Sequence, residues 1–141
     1  MAAPHLATAA MGAVLVLAIL WATHEGAVSS PSVLGEVRGS VRHVVDGDSL
    51  YIQGYDPQIR LWGVDAPERD EPGFSGATET LKRLALRKEI TCQRVDTDRY
   101  ERTVARCFLD DGREINEEMI ASGTADEYHR FSKGFYANQS D

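Results

Sequence analysis

Five charged side chains are spaced so that a fold could gather them around one phosphate. Residues 46–49 read DGDS, residues 60–68 read RLWGVDAPE, and residues 96–105 read DTDRYERTVA. Asp48 and Asp65 both close strand-like runs, and a hard divalent cation is held by carboxylate oxygens brought together from separate segments. Pro67 keeps Ala66 out of the helical region, which holds that backbone extended and aims its carbonyl in a defined direction. Glu68 follows Asp65 by three residues, near enough to work beside such a cation without binding it. Arg60 and Arg102 add two guanidinium forks, each able to hold two oxygens of a phosphodiester and charged at any working pH. A cation, a carboxylate base and two arginines make a set that hydrolyses phosphodiesters. Taken one at a time, the same segments are ordinary turns. The combination carries the signal.

Other chemistries are excluded by pattern. The histidines, at positions 5, 24, 43 and 129, have no metal-ligand spacing. Neither DGDS nor DTDRYE has the D-x-D-x-D-G order of an EF-hand, since Tyr100 stands where the third acidic ligand belongs. No Gly-rich phosphate cradle, G-x-S-x-G elbow or H-E-x-x-H segment occurs. The formal net charge of −7 rules out polyanion binding by bulk charge, so any phosphate must be held by local arginines or a metal.

These side chains need strands with turns between them. The β-branched run VRGSVRHVV (37–45) is interrupted by Asp46-Gly47-Asp48 and resumes as SLYI (49–52). QIRLWGV (58–64) is expected as one strand, and EITCQRV (89–95) and TVARCFL (103–109) as two more. A helix is expected over 76–88, capped by Ser75, with Ala77, Leu81, Leu84 and Ala85 on one face. A second, short helix, EEMIAS (117–122), is expected to be capped by Asn116 and ended by Gly123. About five short strands without βαβ alternation suit a five-stranded closed β-barrel with two or three helices, an α+β fold that is mainly β.

The 141 residues accommodate one domain. Residues 36–141 form the expected folded part, and the small, polar stretch 24–35 is a linker. Residues 1–23 contain no Asp, Glu, Lys or Arg, and the centre GAVLVLAILWA is continuously apolar. This segment is expected to be a signal peptide or a membrane anchor. It would engage secretion machinery or the membrane and leave the domain secreted or membrane-anchored, outside the cytoplasm. The two cysteines, Cys92 and Cys107, flank a polar segment centred on Arg99-Tyr100. A hairpin folded there sets them near cross-strand positions, as a disulfide or as two buried thiols.

The order DGDS, RLWGVDAPE, DTDRYERTVA and INEEMIASGTA resembles the staphylococcal-nuclease-like (thermonuclease) family over roughly residues 37–136. The resemblance implies an OB-type barrel and a calcium-dependent endonuclease that acts on DNA and RNA as a monomer and leaves 3′-phosphates. Carried across by residue, it implies that Asp48, Asp65 and the Ala66 carbonyl bind Ca²⁺. Arg60 and Arg102 match phosphate-binding arginines, and Glu68 matches the general base. Tyr100 and Arg99 match residues near the phosphate, and Tyr128 an aromatic that stacks on a base. Two departures stand out. Glu101 occupies a position where the family has glycine, and its carboxylate is placed to repel substrate or pair with Arg102. The sequence closes on YHRFSKGFYANQSD where many relatives carry a further helix, so a barer barrel flank is expected. The alternative reading of the chain is a catalytically weak or inactive OB-fold nucleic-acid-binding module.

Overall fold

A computed structural model describes residues 28–139. The expected signal or anchor at 1–23 lies outside the described residues. Strand β1 (Gly35–Asp46) turns tightly into β2 (Ser49–Ile52), and β3 (Ile59–Leu61) follows. Then come the two-residue β4 (Val64–Asp65), helix α1 (Phe74–Ala85), and the long hairpin of β5 (Glu89–Thr97) and β6 (Thr103–Leu109). Helix α2 (Ile115–Ala121), β7 (Asp126–Glu127), the short α3 (His129–Ser132) and a 3₁₀ turn at Ala137–Gln139 complete the chain.

Five strands close the barrel that the sequence patterning anticipated, in the order β1-β2-β3-β6-β5 and with every pair antiparallel except β3–β6. In β6 the alternation is complete: Thr103, Ala105, Cys107 and Leu109 point inward and the residues between them outward. Half-buried strands need this period of two. The amphipathic α1 buries Ala77, Leu81 and Ala85 against β1. Cys92 and Cys107 are register partners on β5 and β6, fully buried and joined as a disulfide. The hairpin therefore settles the cysteine pairing left open by the sequence.

Three local expectations are corrected. QIRLWGV is not one strand. Gly63 adopts φ 70° and breaks it, so β3 stays in the barrel while β4 leaves to pair with β7. A Cβ at position 63 would lie 3.0 Å from Tyr136 and 3.1 Å from Ser132, so this tight turn requires glycine. Helix α1 starts at Phe74 after Gly73, with no side-chain cap; Ser75 lies inside it, and Leu86 leaves the helical region at the other end. Asn116 is not a cap either. It lies inside α2, fully buried, accepting a hydrogen bond from the Cys107 N–H and donating to the carbonyls of Trp62 and Ala105. A single amide thus satisfies backbone groups on the β3–β4 turn and on β6.

The C-terminal segment is tied back to the domain by side-chain bonds and ring contacts. Glu127 on β7 accepts hydrogen bonds from Ser132 Oγ, the Tyr136 N–H and the Ala137 N–H. Buried Glu114 receives the Tyr136 hydroxyl at 2.6 Å and the Nε and Nη2 of Arg106. Phe135 and Tyr136 then pack around Trp62.

Candidate active site

The Asp46-Gly47-Asp48 turn is wedged between two other elements. A Cβ at position 47 would come within 2.6 Å of Ala77 on α1 and 2.7 Å of Ala66, so only glycine permits the approach. Asp46 Oδ1 accepts the Asp48 N–H and the Ser49 hydroxyl, which closes the turn. Asp48 is thereby pressed inward at 7% exposure. Its Oδ2 accepts the Ala66 N–H at 3.0 Å and lies 3.2 Å from Arg60 Nη2. The hydrogen bond pins the Asp65–Ala66 peptide against the Asp48 carboxylate, although 18 residues separate Ala66 from Asp48.

Burial pushes the Asp48 carboxyl up to about 7, with Arg60 opposing the shift and Asp46 adding to it. A buried carboxylate beside one arginine and one further carboxylate is short of positive charge. An added cation would supply it. The candidate donors, the Asp48 and Asp65 carboxylates and the Ala66 carbonyl, are all oxygen, the chemistry of a hard cation such as Ca²⁺. Among the described residues no group of three or more His, Cys, Asp or Glu is assembled for a metal. Two carboxylates and one carbonyl would leave the rest of a cation's coordination to water or phosphate.

Arg60 reaches along the β3–β4 turn, where its Nη1 donates to the carbonyls of Leu61 and Val64 at 2.8 and 2.7 Å. A local network likewise fixes the tip of the β5–β6 hairpin. Asp98 Oδ1 accepts the N–H groups of Tyr100 and Arg102, and its Oδ2 accepts Arg102 Nε at 2.6 Å. Arg99 donates to the Tyr100 hydroxyl and stacks over that ring, with Arg102 5.5 Å from the ring centre. Burial works against ionisation of Asp98, but the bonds from Arg102 and Tyr100 outweigh it and hold the carboxyl below its ordinary value.

Glu101 takes the left-handed conformation, φ 62°, that glycine adopts freely. The turn therefore keeps the geometry expected of glycine, and Arg102 pairs with Asp98. Asp98 was missed in the sequence, where the Asp-x-x-x-Arg spacing was its one signal.

Arg60, Arg99, Tyr100, Arg102 and Tyr128 all line one groove of about 570 Å³. Trp62, Arg130 and Phe131 line it as well, and sequence reasoning had not singled them out. Tyr128 donates its N–H to the Gly63 carbonyl and meets Phe131 edge-on at 4.8 Å. Tyr100 is 63% exposed and Phe131 56%, so both offer ring faces to a ligand. Asp65, Ala66 and Glu68 lie elsewhere. They line a second cleft, of about 470 Å³, with Glu71 and Asp126. Glu68 is exposed, and its N–H donates to Glu71 Oε2 at 2.8 Å. The structure thus joins Asp48 to Arg60 and to the Asp65–Ala66 peptide, and sets Glu68 on the cleft side of that junction.

A sequence model of the staphylococcal nuclease homologues matches residues 58–140. The succinoglycan biosynthesis protein ExoI of Rhizobium meliloti is 33% identical over 153 residues, covering 96% of this chain and 75% of that protein. A thermonuclease of Staphylococcus intermedius is 33% identical over 126 residues, covering 80% and 73% respectively. An uncharacterized endonuclease of Escherichia coli O157:H7 is 29% identical over 106 residues, covering 74% and 69%.

Proposed function

This chain belongs to the staphylococcal nuclease homologue family, and from that premise we propose that it is a calcium-dependent endonuclease hydrolysing phosphodiester bonds of DNA and RNA. The observation that carries the reading is the buried Asp48 carboxylate, held between Arg60 Nη2 and the Ala66 N–H. That contact couples the arginine-lined groove to the Asp65–Ala66 peptide. A barrel used only for binding has no need to bury a carboxylate there.

Asp48, Asp65 and the Ala66 carbonyl would hold Ca²⁺, whose chemistry is to neutralise phosphate charge and orient water. Arg60 and Arg102, each fixed by partners before substrate arrives, donate to the phosphate oxygens as negative charge builds in the transition state. Glu68 accepts the proton of the attacking water, a role worth roughly 10²–10⁴-fold. Tyr100, Tyr128 and Arg99 hold the flanking nucleotide through ring faces and charge. By family resemblance the 5′ P–O bond is cut, leaving a 3′-phosphate. We place the enzyme outside the cytoplasm, secreted or membrane-anchored, and acting as a monomer. The apolar stretch at 1–23 and the buried Cys92–Cys107 disulfide support that location.

The test is cleavage of single-stranded DNA and of RNA by the full chain with Ca²⁺, Mg²⁺ or chelator. Cleavage in Ca²⁺ that chelator abolishes is expected, and a folded sample that cuts nothing in Ca²⁺ overturns the proposal. Ca²⁺ should also raise the melting temperature of the wild type and not that of Asp48→Asn. Glu68→Gln and Arg102→Ala should each lower kcat by about 10²-fold or more while leaving the fold intact.

A further inference from the structure

In a chain of net charge −7, no Asp or Glu occurs between Tyr128 and Gln139, whereas Arg130 and Lys133 do. Both cations are exposed, and among the described residues neither side chain has a hydrogen-bond or ion-pair partner. Exposed Phe131 lies between them in sequence. Lys133 also takes the left-handed conformation, φ 51°, at the end of α3. That position ordinarily favours glycine, so a lysine is kept there against a backbone cost. The segment is held firmly all the same. Buried Ser132 donates its hydroxyl to Glu127, and the Lys133 N–H donates to the His129 carbonyl.

Lys133 and Phe131 line a hollow of about 530 Å³, together with Trp62 and, from the segment ahead of β1, Val28, Ser29 and Pro31. Trp62 and Phe131 also line the groove that holds Arg60, Arg102 and Arg130, so hollow and groove adjoin along these two rings. The volume lies within the ~300–1,000 Å³ range of small-ligand sites, enough for a single nucleotide. Its lining is largely apolar and aromatic, with one ammonium and no carboxylate. That combination suits a base joined to a phosphate, whereas an apolar peptide would leave Lys133 unused. Aromatic faces interleaved with cations take single strands without regard to sequence.

We propose that this hollow is a further nucleotide subsite. A single strand lying in the groove continues past Phe131, stacks one more base on that ring and sets the accompanying phosphate on Lys133. The occupant is the same DNA or RNA strand that fills the groove, so the subsite adds reach rather than chemistry. This rests on the nuclease reading and extends it by one nucleotide.

The experiment is cleavage of single-stranded oligothymidylates of about two to about ten nucleotides by the full chain in Ca²⁺, at several salt concentrations. For the wild type, KM should fall with length and level off once groove and hollow are both filled. Lys133→Gln should raise KM a few-fold on the longer substrates, shifting KM rather than kcat, and should level off about one nucleotide sooner. One phosphate contact fewer should also flatten the plot of log kcat/KM against log salt by about 0.7. Lys133→Arg should restore both. Phe131→Ala should raise KM about tenfold with the salt slope unchanged, since it removes a ring and no charge.

Lys133→Gly relieves the left-handed strain, so it should melt no lower than the wild type and yet show the kinetics of Lys133→Gln. That pair of readings separates binding from stability. A Lys133→Gln enzyme with the wild-type KM at every length and the wild-type salt slope would overturn the subsite while leaving nuclease activity standing. The hollow would then belong to the chain's own leading segment or to a partner protein. A wild type that cuts no length in Ca²⁺ would instead overturn the nuclease reading, and the subsite with it.

Discussion

Replacing Glu101 by glycine should stabilise the protein and make the groove more receptive. Glu101 sits at φ 62° in the hairpin tip, where its N–H donates to the Asp98 carbonyl and the Asp98 N–H donates to the Arg102 carbonyl. An L-residue in this left-handed conformation costs about 1–2 kcal/mol. Glycine removes that cost but gives the unfolded chain more freedom, which offsets about 0.4–1 kcal/mol. The net gain is therefore about 0.5–1 kcal/mol, or about 2–4 °C in melting temperature for a domain of this size. Glu101→Ala keeps the backbone cost and removes only the charge, so it serves as the control. Denaturant titrations of the three proteins should rank Glu101→Gly above the wild type, with Glu101→Ala showing no comparable gain. For activity, both variants lose an exposed carboxylate next to Arg102, and both should gain a few-fold in kcat/KM at low salt. That gain should fade as salt screens the charge. A glycine variant no more stable than the wild type would refute the strain argument. Rates unchanged in both variants at low salt would show that Glu101 does not oppose the substrate.

Reducing the Cys92–Cys107 disulfide, which spans 15 residues, should lower stability by about 3 kcal/mol, and an unchanged denaturation midpoint in reductant would contradict this. Asp98 is held below its ordinary value of 3.8, so its contribution is present above that pH and lost as pH falls through the lowered value. Asp98→Asn should accordingly be less stable than the wild type at neutral pH, by about 1–3 kcal/mol, and the gap should close in acid; a gap constant with pH would show that the carboxylate charge is not responsible. Gly47→Ala drives a methyl group into Ala66 and Ala77 and should cost about 1–3 kcal/mol, with Ca²⁺ affinity falling as the Asp48 turn backs away from Ala66. Calorimetry at matched folded fraction separates the two effects.

The barrel strands were legible because alternation along a strand is a local property. Thr103 to Leu109 alternates without a break, and the turn residues around it mark the ends. Helix ends were less legible. Ser75 and Asn116 both precede helical patterns, which is where local rules put a cap. Asn116 instead bonds to Trp62, Ala105 and Cys107, and no local rule can anticipate partners as distant in sequence as Trp62. The site shows the same limit. In RLWGVDAPE, Arg60 and Glu68 are eight positions apart and look like members of one cluster. Gly63 turns the chain out of the barrel between them, so Arg60 lines the groove with the hairpin arginine while Glu68 lines the cleft beside Asp65. Glu101, which stands where the family has glycine, still takes the positive φ that glycine favours, in a turn whose Tyr100 and Arg102 N–H groups both donate to Asp98.

Glu127 also links the timescales of two regions. It holds Ser132, Tyr136 and Ala137 with its side chain while its strand pairs with Val64 and Asp65. The 128–139 segment and the β4 strand should therefore open as one cooperative unit rather than fray separately. Backbone amides of Tyr128, Tyr136 and Ala137 should exchange with solvent at similar rates. Each such opening would release the aromatic wall and Asp65 together, setting how often a bound strand can leave.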